Sequence, residues 1–293
     1  MFKPARSLRP RRFSIFVLHP NQLCMPITKL LIPILSICIV STTFSQSVDY
    51  NNLGEIPAFS MYGDNYLVSG TSLTNDPFTR SSSDVKFQIG FKHRLFNQRL
   101  PFGTYLFLNY QQRNFWDFFD AGAPFRETNY NPGVSLGRTI IHDGNLLGVI
   151  YFEVEHESNG RAGPSSRSWN RVSISSKWCP HPKFRVDVAA WWPFDIDEET
   201  NEDLLAYTGY QKVGFSWNFS PRFYLDLDSQ LAFEEETRGN ITAGLYFQHS
   251  KSEDRFIYLQ FFHGYAEELL AYNVRRTRLR LGLAFRHAFF NVD

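Results

Sequence analysis

His156, Ser158 and Asn170, the last of these fourteen positions after the histidine, are residue types that together can hydrolyse an ester. A serine hydroxyl attacks a carbonyl when a neighbouring base takes its proton, and an imidazole serves as that base when a third group fixes its tautomer. Ser158 would be the nucleophile, His156 the base and Asn170 the orienter. A His and a Ser two apart are incidental in most strands, so the elements around them must decide.

Those elements read as two strands joined by a loop rich in Gly, Pro and Ser. On the first arm Gly148, Ile150, Phe152, Val154, His156 and Ser158 share one face, opposed by Tyr151, Glu153, Glu155 and Glu157. On the second arm Asn170, Val172, Ile174 and Trp178 form the apolar face, opposed by Arg171, Ser173, Ser175 and Lys177. Folding about Gly163 sets His156 opposite Asn170 and Glu155 opposite Arg171, with the reactive groups on one side and an ion pair on the other. The reactive groups extend the apolar face, so in a membrane barrel they point to lipid.

The same alternation recurs along the chain. Val85, Phe87, Ile89 and Phe91 oppose Lys86, Gln88 and Lys92; Leu106, Leu108, Tyr110 and Gln112 share a face; Leu279, Leu281, Leu283 and Phe285 oppose Arg276, Arg278, Arg280 and Arg286. With a weak first strand over 59–69, and further candidates at 128–138, 146–158, 168–178, 183–193, 207–219, 222–232, 238–249, 254–263 and 273–289, about twelve strands are expected, an even number as closed bacterial barrels require. The predicted fold is all-β, a twelve-stranded antiparallel transmembrane barrel. Alternation alone leaves open whether the apolar face turns inward, as in a soluble sandwich, or outward into lipid. Aromatic residues at 17%, with 29 Phe and 14 Tyr, suit strands with interfacial girdles.

Thirty Lys and Arg against 29 Asp and Glu give no electrostatic case for nucleic acid. Residues 1–45 read as an export signal, with Lys29 before the apolar run Leu30 to Val40 and small residues up to Ser45. That run is too short to span a bilayer, which needs about 20 residues. The long Arg-rich lead suggests a true start at Met25, and residues 46–293 form one barrel domain. Cys38 follows the bulky Ile37, which speaks against lipidation. Beyond the signal only Cys179 remains, too few for a disulfide framework or a cysteine metal site. His181, His249, His263 and His287 show no metal-ligand spacing, and Asp195 to Glu199 reads as a solvated loop. Many outer-membrane barrels end in an aromatic residue, whereas this chain ends Phe289, Phe290, Asn291, Val292, Asp293.

The run His156, Glu157, Ser158, Asn159, Gly160, Arg161, followed by Pro164, Ser165, Ser166, Arg167, Ser168, Trp169 and Asn170, resembles the outer-membrane phospholipase A family. Further similarity lies at Asp84 to Gln88, at Pro124 to Tyr130, and at Tyr272, Asn273, Thr277 and Arg278, so the resemblance spans roughly Tyr66 to Phe285. It implies a multi-pass barrel of the bacterial outer membrane that hydrolyses acyl esters of phospholipids and lysophospholipids, of A1 and A2 type, as a calcium-bound homodimer. By position it makes Ser158 the nucleophile, His156 the base, Asn170 the orienter and the Gly160 amide part of the oxyanion hole. It also implies that Ca2+ is held by the Arg161 carbonyl, the Ser166 hydroxyl and, from the second subunit, a carbonyl near Gly122. The sequence departs from the family at Gly122, often Ser, which leaves a backbone ligand intact, and at Gly163, where relatives can carry Asp. With no carboxylate from Ser158 to Asn170, calcium is expected to bind weakly until a second subunit completes the site.

The resemblance further implies a dimer contact at Gln112, an amide presented where its strand neighbours point to lipid. The bland alternative is an interfacial glutamine bonded to water, and a serine-rich turn is likewise most often a solvated loop. Two competing readings of the whole chain are a non-catalytic pore or structural barrel and a secreted soluble β-sandwich hydrolase. The charged face with Arg276, Arg278, Arg280, Glu153 and Glu155 would line a channel in the first case, or else cross-link into a plug.

Overall fold

The computed structural model describes residues 58–286 apart from 75, 143–144, 197–199, 234–235 and 250–253. The expected signal over 1–45, the start at Met25 and the end from Phe289 lie outside the described residues. β1 (Phe59–Met61) and β2 (Asn65–Ser72) both pair with β3 (Ser83–Arg94), through Phe59↔His93 and Leu67↔Phe87. They form one stave, interrupted where Tyr62 donates to Glu153 at 2.9 Å and Asp64 accepts from Tyr246 at 2.8 Å, so the polar groups of the break are satisfied inside the barrel.

The remaining strands are β4 (Tyr105–Trp116), β5 (Phe125–His142), β6 (Asn145–Ser158), β7 (Ser168–His181), β8 (Phe184–Phe194), β9 (Gln211–Ser220), β10 (Phe223–Phe233), β11 (Thr237–Phe247), β12 (Arg255–Gly264) and β13 (Arg276–Phe285). Each pairs antiparallel with its successor and β13 returns to β2, so the thirteen strands close into a barrel of twelve staves. Closure leaves no unpaired sheet edge, the condition for strands to cross a bilayer.

Which face looks outward is decided by burial: Leu281 is 56% exposed and Leu283 53%, while Arg280, next to Leu281, is 1% exposed. The apolar face is the outer, lipid-facing one, and the charges turn into the lumen. There they pair. Arg280 donates to Asp84 at 2.8 and 2.9 Å and to Glu267 at 2.6 Å, Lys86 reaches Glu267 at 3.1 Å, and Arg278 reaches Asp84 at 3.3 Å. Glu267 belongs to the β12–β13 loop, so these contacts hold that loop in the lumen. Arg126 collects Asp84, Asp117 and Glu268, and Glu268 also pairs with Arg276. Opposite charges thus cross-link the wall, and removing one member would leave its partners buried and uncompensated.

One expected strand boundary is corrected. Residues 207–210, read as the start of a strand, contain the end of a short helix α1 (Leu205–Thr208), and β9 begins at Gln211. The helix ends at Gly209 with φ 61°, and Leu204 just before it is buried with Trp169, Trp191, Leu269 and Tyr272, with Leu205 and Tyr207 packed against that cluster. This apolar cluster joins β7, β8, the segment before β9 and the β12–β13 loop. Its contacts are non-local, so strand alternation could not announce it.

Candidate active site

The β6–β7 hairpin folds in the expected register, with Ile150 opposite Ser176, Glu155 opposite Arg171, His156 opposite Asn170 and Ser158 opposite Ser168. Because side chains alternate, this register puts opposite chemistries on the two faces. Inward, Arg171 donates to Glu155 at 2.9 Å and to Glu157 at 3.1 Å, and Arg113 donates to Glu157 at 2.7 Å. Outward, His156 Nδ1 and Asn170 Oδ1 lie 2.9 Å apart. The inner ion pairs hold the register that brings the ring and the amide opposite each other on the outer face. Ser158 lies on the same outer face as His156, but a direct hydrogen bond between them is not formed among the described residues. Catalytic contacts of this kind are often long in the absence of substrate.

The loop after Ser158 is stitched together by Asn159, which is 5% exposed. Its Oδ1 accepts the amides of Arg161 at 3.2 Å and Arg167 at 3.0 Å, and its Nδ2 donates to the Ser165 carbonyl at 2.9 Å. Its own amide donates to the Arg167 carbonyl at 3.0 Å. The Asn159 and Arg161 amides are therefore used within the loop, while the Gly160 amide between them has no partner among the described residues. Gly160 has φ 66°, and a β-carbon there would lie 2.9 Å from the ring of Tyr130. Tyr130 in turn stands directly across from Ser158. A left-handed turn packed on an aromatic face thus holds a backbone donor two residues past the serine.

Sequence reasoning gave no role to Asn159 or Tyr130. An Asn bonding the amide two residues on is a known turn device, so Asn159 was readable in principle; Tyr130 was not, since its contact depends on strand register. Asp195, read as part of a solvated loop, is exposed, yet its backbone carbonyl and its carboxylate both accept from Asn170 Nδ2 at 3.3 Å.

The expected metal ligands sit in this loop and in the β4–β5 turn. Arg161 is anchored by a side-chain bond to the Arg126 carbonyl, and Ser166 donates its amide to Gly163 at 2.9 Å in a turn set by Gly163 and Pro164. Gly122 lies at the exposed β4–β5 turn with φ 78° and open space where a β-carbon would sit. Among the described residues no group of three His, Cys, Asp or Glu could hold a metal. The donors are carbonyl and hydroxyl oxygens, which fit a hard cation that takes six to eight oxygens and leave most of its shell to be filled from elsewhere. Gln112 points outward, accepts from Tyr110 at 2.7 Å and donates to Asn114 at 2.9 Å. It pairs across the sheet with Tyr130, which pairs with Ser158, so the glutamine and the serine share one outer patch two strands apart.

The phospholipase A1 family model matches residues 49–285, nearly all of the barrel. The chain belongs to the phospholipase A1 family. A phospholipase A1 of Klebsiella pneumoniae is 30% identical over 242 residues, covering 78% of this chain and 82% of that protein, and the Escherichia coli K12 enzyme is 28% identical, covering 70% and 71%. Among solved structures, outer membrane phospholipase A from Escherichia coli superposes with TM-score 0.69 at 26% identity, covering 79% of this chain and all of that one. The Salmonella typhi outer membrane phospholipase, solved as a dimer with bound calcium, gives the same TM-score and identity and covers 79% and 93%. This phospholipase A1 family member is accordingly a multi-pass barrel of the outer membrane.

Proposed function

We propose that this phospholipase hydrolyses the acyl esters of membrane phospholipids and lysophospholipids, at both A1 and A2 positions, through Ser158, His156 and Asn170 on the outer wall of the barrel. The observation that carries the reading is the 2.9 Å contact of His156 with Asn170 beside Ser158 on a lipid-facing surface. An Asn-to-Ala variant of the Escherichia coli enzyme is described as an active-site mutant, which supports an asparagine in this role. Substrate acyl chains lie along the outward apolar residues Ile150, Phe152 and Val154, all exposed, which brings the ester to the level of Ser158 at the strand end.

The steps follow from the side chains. Ser158 Oγ attacks the acyl carbonyl as its proton passes to His156 Nε2; the Gly160 amide donates to the developing oxyanion; Asn170 holds the imidazolium by accepting from Nδ1. The protonated ring then donates to the leaving glycerol oxygen, and water attacks the acyl-serine with His156 again as base. A neutral orienter avoids the cost of burying a carboxylate against lipid.

Calcium would be held by the Arg161 carbonyl, the Ser166 hydroxyl and the Gly122 carbonyl of a second copy. Its charge, when bound, favours negative charge developing at the carbonyl oxygen. The active form is therefore a homodimer, as the calcium-bound dimer from Salmonella typhi suggests. Gln112 supports the same contact: an amide has two donor and two acceptor sites, and Tyr110 and Asn114 use one of each, leaving one donor and one acceptor for the Gln112 of the second copy across a two-fold axis. The test is fatty-acid release from mixed phospholipid micelles by refolded protein with and without calcium. Wild type should release fatty acid only with calcium, and Ser158→Ala should release none while keeping a heat-modifiable barrel; release by Ser158→Ala would remove it from the mechanism.

A further inference from the structure

Asn170 can accept from the histidine only if its amide is turned the right way round, and nothing in the His156–Asn170 pair itself enforces that. A flipped amide would present NH2 to Nδ1, favour the tautomer with its proton on Nε2, and leave the nitrogen that serves Ser158 unable to act as a base. Asp195 supplies what the pair lacks. Asn170 pairs across the sheet with Phe194, the last residue of β8, and the chain turns immediately after it at Asp195 with φ 49°. That left-handed conformation, which Asp tolerates better than most side chains, brings the Asp195 carbonyl and carboxylate together onto Asn170 Nδ2, each at 3.3 Å. Both of these oxygens can only accept. They therefore require the NH2 of Asn170 on their side, which turns Oδ1 toward His156, places the hydrogen on Nδ1 and leaves the Nε2 lone pair for the Ser158 proton.

The geometry points to Asp195 as a positioning residue for the hydrolysis, a fourth member that fixes the Asn170 amide and through it the histidine tautomer. This rests on the reading of Ser158, His156 and Asn170 given above. The arrangement also places negative charge at the far end of the chain of groups from the imidazolium that forms in the transition state. Because Asp195 is exposed at the strand end, its carboxylate keeps its hydration, and only the neutral amide meets the lipid-facing site. An exposed bond of this length is weak individually, so the effect expected is modest and lies in turnover.

The test is a double-mutant cycle on the full refolded chain with saturating calcium, using Asp195→Ala, Asp195→Gly, Asp195→Asn, Asn170→Ala and Asn170→Ala with Asp195→Ala, and Ser158→Ala as the control. Asp195→Ala should lower kcat about three- to tenfold with KM unchanged, the loss of one hydrogen bond that counts mainly in the transition state. Asp195→Gly, at ease with positive φ, should lose as much, which separates the side chain from backbone strain, and Asp195→Asn should recover most of the activity because its amide oxygen accepts in the same place. In the Asn170→Ala background Asp195→Ala should cost nothing further. Wild-type kcat for Asp195→Ala, or the same factor lost again without Asn170, would each overturn the assignment while Ser158→Ala stays inactive. An active Ser158→Ala would instead overturn the hydrolase reading beneath it.

Discussion

Replacing Gly160 by alanine separates an oxyanion donor from a loop filler. The added β-carbon would sit at φ 66° and 2.9 Å from Tyr130 Cε2, a contact that forces either the ring or the loop to move. Holding an L-residue in the left-handed region costs about 1–2 kcal/mol, a modest part of the roughly 5–15 kcal/mol of a typical domain, so the barrel should still fold. The loop escapes the strain by rotating the peptide, and this carries the amide away from Ser158. Loss of one oxyanion donor lowers kcat by about 100- to 1000-fold. The assay pairs fatty-acid release from mixed micelles, read as kcat and KM at saturating calcium, with heat-modifiability in electrophoresis for the fold. Expected is a loss of that size in kcat with the barrel intact. A Gly160→Ala enzyme within about twofold of wild type would refute the oxyanion assignment, since so small a change leaves no transition-state interaction to attribute to the amide.

Chelation should abolish activity reversibly, and Ser166→Ala should raise the calcium concentration for half-maximal rate, because one oxygen of a sparse ligand set is gone; a chelator without effect would end the calcium proposal. Gln112→Ala should reduce the yield of crosslinked dimer in detergent with calcium and a substrate analogue, by an amount consistent with roughly 0.6–2 kcal/mol for a polar pair in a membrane, and an unchanged yield would place it outside the contact. Glu267, in the β12–β13 loop, should make the barrel acid-sensitive: burial pushes its carboxyl up, but Arg280 and Lys86 more than offset this and hold it well below its ordinary range. A depressed folded-state pKa adds stability above the unfolded value, about 4.5, that is lost as pH falls below it. The midpoint of heat modification should therefore drop in acid, and Glu267→Gln should flatten that dependence; equal pH profiles for the two proteins would show that the pair contributes nothing.

The barrel was legible because a lipid-facing strand must alternate, and Leu279, Leu281 and Leu283 against Arg278 and Arg280 say so without tertiary information. The two-residue period also made the hairpin register readable, and with it the opposition of His156 to Asn170 and of Glu155 to Arg171. The inward orientation of the charges was not contained in the pattern, since both faces of an alternating strand satisfy it; Arg280 meeting Asp84 and Glu267 from distant parts of the chain settles it. Tyr130 against Gly160, and Asp195 against Asn170, were hidden for the same reason: each contact joins neighbouring strands whose stagger is set by turns and bulges. Position 207 failed differently, because Leu205 and Tyr207 pack against the cluster of Trp169, Trp191 and Leu204 and so follow tertiary packing instead of a strand period. Gln112 was expected to meet either a second copy or interfacial water; Tyr110 and Asn114, two residues away on the same face, satisfy part of its amide, and the remaining capacity is what supports a dimer contact.

The central claim is that Ser158 is the nucleophile. An alkyl fluorophosphonate traps an activated serine covalently, so the most direct measurement is peptide mapping by mass spectrometry of the labelled, calcium-loaded protein. A single adduct on Ser158 is expected, formed as hydrolysis is lost, slowed in His156→Ala and absent in Ser158→Ala. An adduct on Ser165, Ser166 or Ser168 that tracks the loss of hydrolysis, with Ser158 unlabelled, would contradict it.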